Sequence, residues 1–344
     1  MEALRTALRS EEHRRLAIAG LAKNVGKTTL LGGVATLLQS SGAPLGFVSI
    51  GVDGERFDAV TGAAKPPVLL AEGDLAVTAE GALGDAACGP ELLGRLGIRS
   101  VMGELFLVRA SRSGRMMLAG VRFRADVEVA LVALRNAGAE RLLIDGAFDR
   151  LMGASAGLCD GCLLATGMAV SDRLEVVVAR TVEVAERFAC PVAEQAWRRG
   201  LPPALVGERE GAVLTAGVPS LLTEEAEPWL RAAALERLYA PGALSERAAA
   251  LLLSLGARGP RQVVVADATH LMATTATMGR LERAGIEVRV ARGVPLLGVA
   301  CNPTRPEGGT PNGMALQGAL AAALPKGMPV WDVVAGSVVR AGEV

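Results

Sequence analysis

Beginning at Leu16 the chain is apolar without alternation through "LAIAG" to Gly20, turns polar for a few residues, then places Leu30, Leu31, Val34, Leu37 and Leu38 at helical spacing. A short continuous apolar run reads as a buried strand, and the later spacing reads as one face of a helix. The polar turn therefore joins a buried strand to a helix N-terminus. The alternation continues. "LGFVSIG" (Leu45 to Gly51) is a second buried strand, "ADVEVALVALRNAGA" a helix ending near Gly138, and "RLLIDGAFDR" a third strand with Asp145 at its tip. "GCLLATG" and "RLEVVVARTVEVAERFA" repeat strand then helix. This order predicts a parallel sheet that binds ligands at the carboxyl ends of its strands.

Two stretches break the rhythm. Residues about 65–122 read as short strands, "PPVLLAEGDLAVTA" and "ELFLVRASRSGRMMLAGV", the latter as a hairpin turning at Ser113-Gly114; this is a β-rich insertion on the sheet edge. From about Glu194, "GAVLTAGV", "RQVVVAD", "EVRVARG" and "LLGVACN" read as strands, and "EPWLRAAALERLYA" and "LSERAAALLLSLG" as helices. The expected organisation is a nucleotide-binding domain over 1–192, carrying that insertion, and a smaller C-terminal α/β domain over 193–344.

The polar turn carries the chemistry. Gly26, Lys27 and Thr28 match the G-K-[ST] end of a phosphate-binding loop, in which backbone N–H groups and the helix dipole favour a polyphosphate and the lysine neutralises it. Five residues, not the usual four, separate Gly20 from Gly26. Lysine occurs only at positions 23, 27, 65 and 326, so a chain that otherwise uses arginine has put two lysines in one loop. A compact ammonium curls under phosphates where a planar guanidinium does not fit. Gly20, Lys23, Asn24, Val25, Gly26, Lys27, Thr28 and Thr29 are therefore the expected nucleotide-binding residues. Asp53, after the second strand, and Asp145, after the third, converge on the same edge; with Thr28 they are the candidate ligands of Mg²⁺, and with Lys27 the candidate catalytic groups. "DG" is also ordinary turn chemistry, so both aspartates have a structural reading as well.

Composition narrows the rest. Lys and Arg number 36, as do Asp and Glu, and aromatic content is 3%, which argues against nucleic acid or a membrane surface as the main partner. No apolar run approaches the roughly 20 residues that cross a bilayer, and "MEALRTALRSEEHRR" has no apolar signal core, so the expected location is cytoplasmic. The five cysteines read as core residues; "CDGC" lacks a second pair to complete a zinc site. Asn302 in "CNPTRPEGG" has a base-recognising reading beside that of a Pro/Gly-rich loop, and His270 is read as structural rather than catalytic.

The loop "GLAKNVGKTT" resembles that of dethiobiotin synthetase and its SIMIBI-class relatives, a group of P-loop NTPases that includes the Min and Par type ATPases. Relatives often carry a signature lysine five positions before the phosphate-binding one; Ala22 stands there, with Lys23 one place off. The same loop together with "SIGVDGE", "LLIDGAFDR", "LLATGMAVS" and "VACNPTRPEG" resembles the KamB-type subunits of the reactivase for adenosylcobalamin-dependent lysine aminomutase. That resemblance implies an ATP-binding accessory protein of amino acid fermentation. It would use ATP and Mg²⁺, with a MutS-like partner ATPase, to restore an aminomutase carrying damaged cofactor. A homodimer and GTP in place of ATP both stay open. The alternative is a dethiobiotin synthetase-like ligase acting on a small carboxylate, although the acidic "VDGERFD" after the second strand does not suit an anionic substrate.

Overall fold

The computed structural model describes residues 2–39, 42–50, 67–121, 123–146, 154–194, 203–305, 309 and 313–343. The chain forms two units, Met1–Val182 with Leu296–Val344, and Glu183–Pro295.

The first unit starts with helix α1 (Glu2–Arg9), strand β1 (Arg15–Gly20), α2 (Lys27–Gln39) and β2 (Leu45–Ser49). Five strands follow: β3 (Val68–Leu70), β4 (Leu75–Ala79), β5 (Pro90–Ser100), β6 (Gly103–Ala110) and β7 (Gly114–Met116). Then come α3 (Arg124–Asn136), β8 (Arg141–Asp145), β9 (Gly161–Gly167) and α4 (Leu174–Phe188), the last of which runs into the second unit. That unit contains β10 (Val206–Arg209), β11 (Ala212–Thr215), α5 (Ala226–Ala233), β12 (Arg237–Ala240), α6 (Glu246–Ser254), β13 (Gln262–Val265), α7 (Thr275–Arg283) and β14 (Glu287–Val290). The chain returns to the first unit as β15 (Leu296–Asn302), α8 (Gly313–Ala323), β16 (Pro329–Asp332) and β17 (Val338–Arg340).

The protein is thus mixed α/β, with one large, mostly parallel sheet of ten strands in the order β17-β16-β15-β9-β1-β8-β2-β4-β6-β5. Neighbours are parallel from β16 through β4. Only β17 at one edge, and β6 and β5 at the other, run antiparallel to their neighbours. β1 occupies the interior, its residues Leu16 to Gly20 all buried. The helix face expected from the sequence packs on this sheet: Leu30, Leu31, Val34, Leu37 and Leu38 are buried in a cluster with Leu16, Ile18, Leu143 and Leu163. In the second unit the sheet order is β11-β10-β12-β13-β14, with the last three strands parallel. α5, α6 and α7 contribute Leu230, Leu252 and Leu281 to a core with Leu238, Val263 and Val265.

Four expectations are corrected. The C-terminal domain does not run over 193–344: "LLGVACN", read as one of its strands, is β15, which pairs in parallel with β9 of the large sheet. The second unit ends at Pro295 and begins inside α4. The hairpin is not at Ser113-Gly114. β5 and β6 form it, closing where Ser100 faces Gly103, and β7 pairs with β3 instead. Finally, "EPWLRAAALERLYA" is not one helix, because Ala234 takes a left-handed conformation (φ 48°) that ends α5, and its last residues form β12. The β-rich segment itself does lie at the sheet edge, through β4, β6 and β5.

Two adjacent glycines in α2 separate helix propensity from packing. A Cβ at Gly33 would overlap the ring of Trp331, whereas one at Gly32 meets nothing within 4 Å. Gly32→Ala should therefore raise stability by up to about 1 kcal/mol. Gly33→Ala should lower it by about 1–2 kcal/mol, as overpacking outweighs the same propensity gain. Urea unfolding midpoints measured side by side check both signs.

Candidate functional site

The β1–α2 connection is shaped by two residues in left-handed backbone conformations, Asn24 (φ 60°) and Gly26 (φ 88°). Asparagine and glycine are the residue types that adopt this conformation at least cost. The start of the turn is fixed by the Leu21 N–H donating to the Ala165 carbonyl (3.0 Å), and its end by the Leu30 N–H donating to the Gly26 carbonyl (2.9 Å), the first turn of α2. No acidic residue stands in that turn. The helix thus opens on backbone N–H groups and the positive end of its dipole.

Lys27 folds back into the turn. A Cβ at Gly20 would stand 2.7 Å from Lys27 Cδ and 3.0 Å from Nζ, and the ammonium donates to the Ala22 carbonyl at 3.1 Å. Gly20 is therefore a glycine because the Lys27 side chain passes directly over it. Around them, Thr28 is half-buried in the first helical turn, Lys23 is half-buried, and Asn24 and Thr29 are exposed. Val25 is different: its side chain is buried in the core beneath α2, so only its main chain is available to a ligand.

Asp145 ends β8 beside this turn, its backbone in register with Ile18 of β1 and Ser49 of β2. Its side chain is largely buried and accepts a long hydrogen bond from Ser49 Oγ (3.4 Å). The residue that follows is held against β1. Gly146 does not have a positive φ; its N–H donates to the Ile18 carbonyl (2.9 Å), and a Cβ there would lie 2.8 Å from that oxygen. The glycine permits close approach to β1 and leaves Asp145 at the strand end. Asp53 lies outside the described residues, as does Lys65.

Two contributors were not assigned to this site from the sequence. Ser49 was legible only as a hydroxyl closing an apolar strand. Asn302, at the end of β15, sits next to the loop: its Nδ2 donates to the Asn24 carbonyl (3.1 Å), and its Oδ1 accepts from the Thr304 N–H (3.0 Å). Asn302 Cβ and Val333 Cγ2 would lie 3.4 and 3.1 Å from a Cβ at Gly26. The amide weighed as a base reader is thus engaged in holding the loop. His270 belongs to the second unit, where Nδ1 lies 3.1 Å from Asp267 Oδ1.

The cysteines are free, and four are buried. Burial pushes the Cys162 and Cys301 thiols up to about 12, so both are neutral packing groups near pH 7. Among the described residues no group of three or more His, Cys, Asp or Glu side chains is arranged to hold a metal ion, and no helix is long and apolar enough to cross a membrane. Comparison with protein families, curated proteins and solved structures gives no match.

The contact from Asn302 gives a test of loop geometry that needs no ligand. Asn302→Ala should cost about 1 kcal/mol by removing one hydrogen bond to Asn24. Amide hydrogen exchange should then speed up at Val25 to Lys27 while Leu142 to Ile144 in β8 keep their protection. Unchanged exchange in the loop would mean that the Gly26 conformation does not depend on Asn302.

Proposed function

We propose that this chain is a P-loop nucleotide-binding protein, taking ATP with Mg²⁺ at the carboxyl edge of its large sheet and using the nucleotide cycle as an accessory protein to an adenosylcobalamin-dependent aminomutase. The observation that carries the nucleotide reading is the passage of Lys27 over Gly20 at the N-terminus of α2. A lysine there adds a compact cation to the backbone N–H groups that open a helix. A polyphosphate uses that pairing, since its oxygens accept from many N–H groups at once and its charge needs a compact counter-charge. Thr28, in the first turn of α2, and Asp145, at the end of β8, are the side chains that would hold Mg²⁺ beside such a nucleotide. The ion would supply further neutralisation of the phosphates.

The accessory role rests on the motif resemblance and on an energetic argument. Expelling a tightly held, inert cobalamin requires a change in grip on the enzyme, and nucleotide can drive that only if its bound and free states differ in affinity for the partner. In this reading Asp145, at the strand tip beside Ser49, would sense whether a terminal phosphate is present. The parallel sheet also suits a ligase of the dethiobiotin synthetase type, which would respond to a small acid rather than to a protein.

Two measurements test this proposal. Lys27→Ala should weaken ATP binding by about 1.5–3 kcal/mol, roughly ten- to hundredfold, with the circular dichroism spectrum unchanged. Asp145→Asn should keep binding but slow ATP turnover at least about tenfold. Retained affinity in the Lys27 variant would remove the phosphate-loop assignment. The accessory role is tested by mixing the protein with its partner ATPase, Mg²⁺, ATP, fresh adenosylcobalamin and inactivated lysine aminomutase. Recovery of aminomutase turnover should need this protein and an intact Lys27; recovery without either would sink that role while leaving nucleotide binding standing.

A further inference from the structure

The second unit contains a cleft of about 430 Å³ that has no part in the nucleotide reading. Its walls are the end of α4 with the segment after it, α7, and the residues leading into β14. Leu271, Ala273, Met278, Ile286 and Val288 line it with apolar surface, joined by Cys190. Burial pushes the Cys190 thiol up to about 11, and Sγ contacts the Val288 carbonyl at 3.5 Å, so this sulfur is a neutral packing group and not a nucleophile.

The charged lining is one-sided. Glu183, Glu186, Glu282 and Glu287 outnumber the lining cation, Arg187, and the Arg289 that pairs with Glu287 from beside the cleft, which leaves an excess of two negative charges among these groups. Arg187 is already paired with Glu183 at 2.8 Å, and Glu287 is bound by Arg289 and Gln262. The Glu186 carboxylate accepts only from a neutral hydroxyl, that of Thr275 at 2.9 Å, and the Glu282 carboxylate has no ion pair or hydrogen bond among the described residues. Glu186 comes from α4 and Glu282 from α7, so the two uncompensated carboxylates flank the apolar floor from different helices.

We propose that this cleft binds a small organic cation, an alkyl chain ending in an ammonium group, with the chain against Met278 and Ile286 and the ammonium at Glu186 and Glu282. The alternatives fit the lining less well. An anion would enter against a net negative field, and a bare metal ion would gain nothing from a floor of methylenes. A wholly apolar ligand would leave two carboxylates to be partly desolvated without a counter-charge. An alkylammonium uses both halves of the lining, burying methylenes on the floor while its head stays at the wet, acidic rim. The volume lies within the range of small-molecule sites.

The proposal stands independently of the nucleotide reading, and its test does not use nucleotide. The probe is n-hexylamine, titrated into the full chain carrying ¹³C-methyl methionine, with the Met278 methyl resonance followed by NMR. Hexylamine should give a saturable shift at Met278, hexan-1-ol should bind at least about tenfold more weakly, and hexanoate should give no shift. The double variant Glu186→Gln, Glu282→Gln should weaken hexylamine by at least about tenfold; both side chains are exposed, so its thermal unfolding should match that of the parent. Met278→Lys, which places an internal ammonium in the cleft, should abolish the response, read in that variant from the total heat of titration. Absence of saturation with hexylamine, equal binding of the alcohol, or unchanged affinity in the double variant would each overturn the proposal.

Discussion

The large sheet is organised around β1, a strand with no exposed face. Leu16 to Gly20 are buried, with β8 on one side and β9 on the other, both parallel to it. A strand in that position can satisfy its backbone only through both neighbours, so its register is fixed and so is the point where it ends. Its entry is pinned as firmly. Arg15 clasps Asp160 through Nε (3.1 Å) and its own N–H (3.0 Å), and its Nη1 donates to the Gly157 carbonyl, locking the start of β1 to the residues that lead into β9. Everything at the carboxyl edge inherits its position from this strand.

Buried polar groups extend that constraint outward. Asp74 is almost fully buried, and its carboxylate accepts from the Leu45 N–H, the Ala71 N–H and Gln39 Nε2, joining the end of α2 to the start of β2 and to the turn before β4. Burial holds its carboxyl above the usual range even though all three donors favour the charged form. On the far side, Gln317 on α8 donates to the carbonyls of Val330 and Ser337 at 3.0 Å each, and Asp332 accepts from the Val334 and Ala335 N–H groups. These bonds position Val333, which stands against Gly26. The returning C-terminal segment is thereby part of the loop's wall.

The two candidate sites rely on different physics. The β1–α2 turn concentrates backbone donors by holding Asn24 and Gly26 in conformations that most residues avoid, which suits a ligand rich in acceptors. The cleft of the second unit has no such backbone feature; it presents apolar side chains and excess carboxylate charge, which suits a ligand with methylenes and a cation.

The sequence by itself determined the elements whose signals are local. The buried face of α2 is written in the spacing of Leu30 to Leu38, the strand character of β1 and β8 in their unbroken apolar runs, and Asp145's position in the point where such a run stops. Other features depend on partners far away in the chain. β5 mixes exposed and half-buried residues without a regular alternation and contains Gly94 and Gly97, so it shows no strand signature until β6 pairs with it. The register of β15 against β9 is chosen by hydrogen bonds across more than a hundred intervening residues, and it alone brings Asn302 to Asn24. Periodicity records which face of an element is buried but not which sheet it joins, because any parallel neighbour satisfies the same backbone groups. Tertiary structure therefore decided where the second unit ends, why Gly20 carries no side chain, and which residues surround the loop.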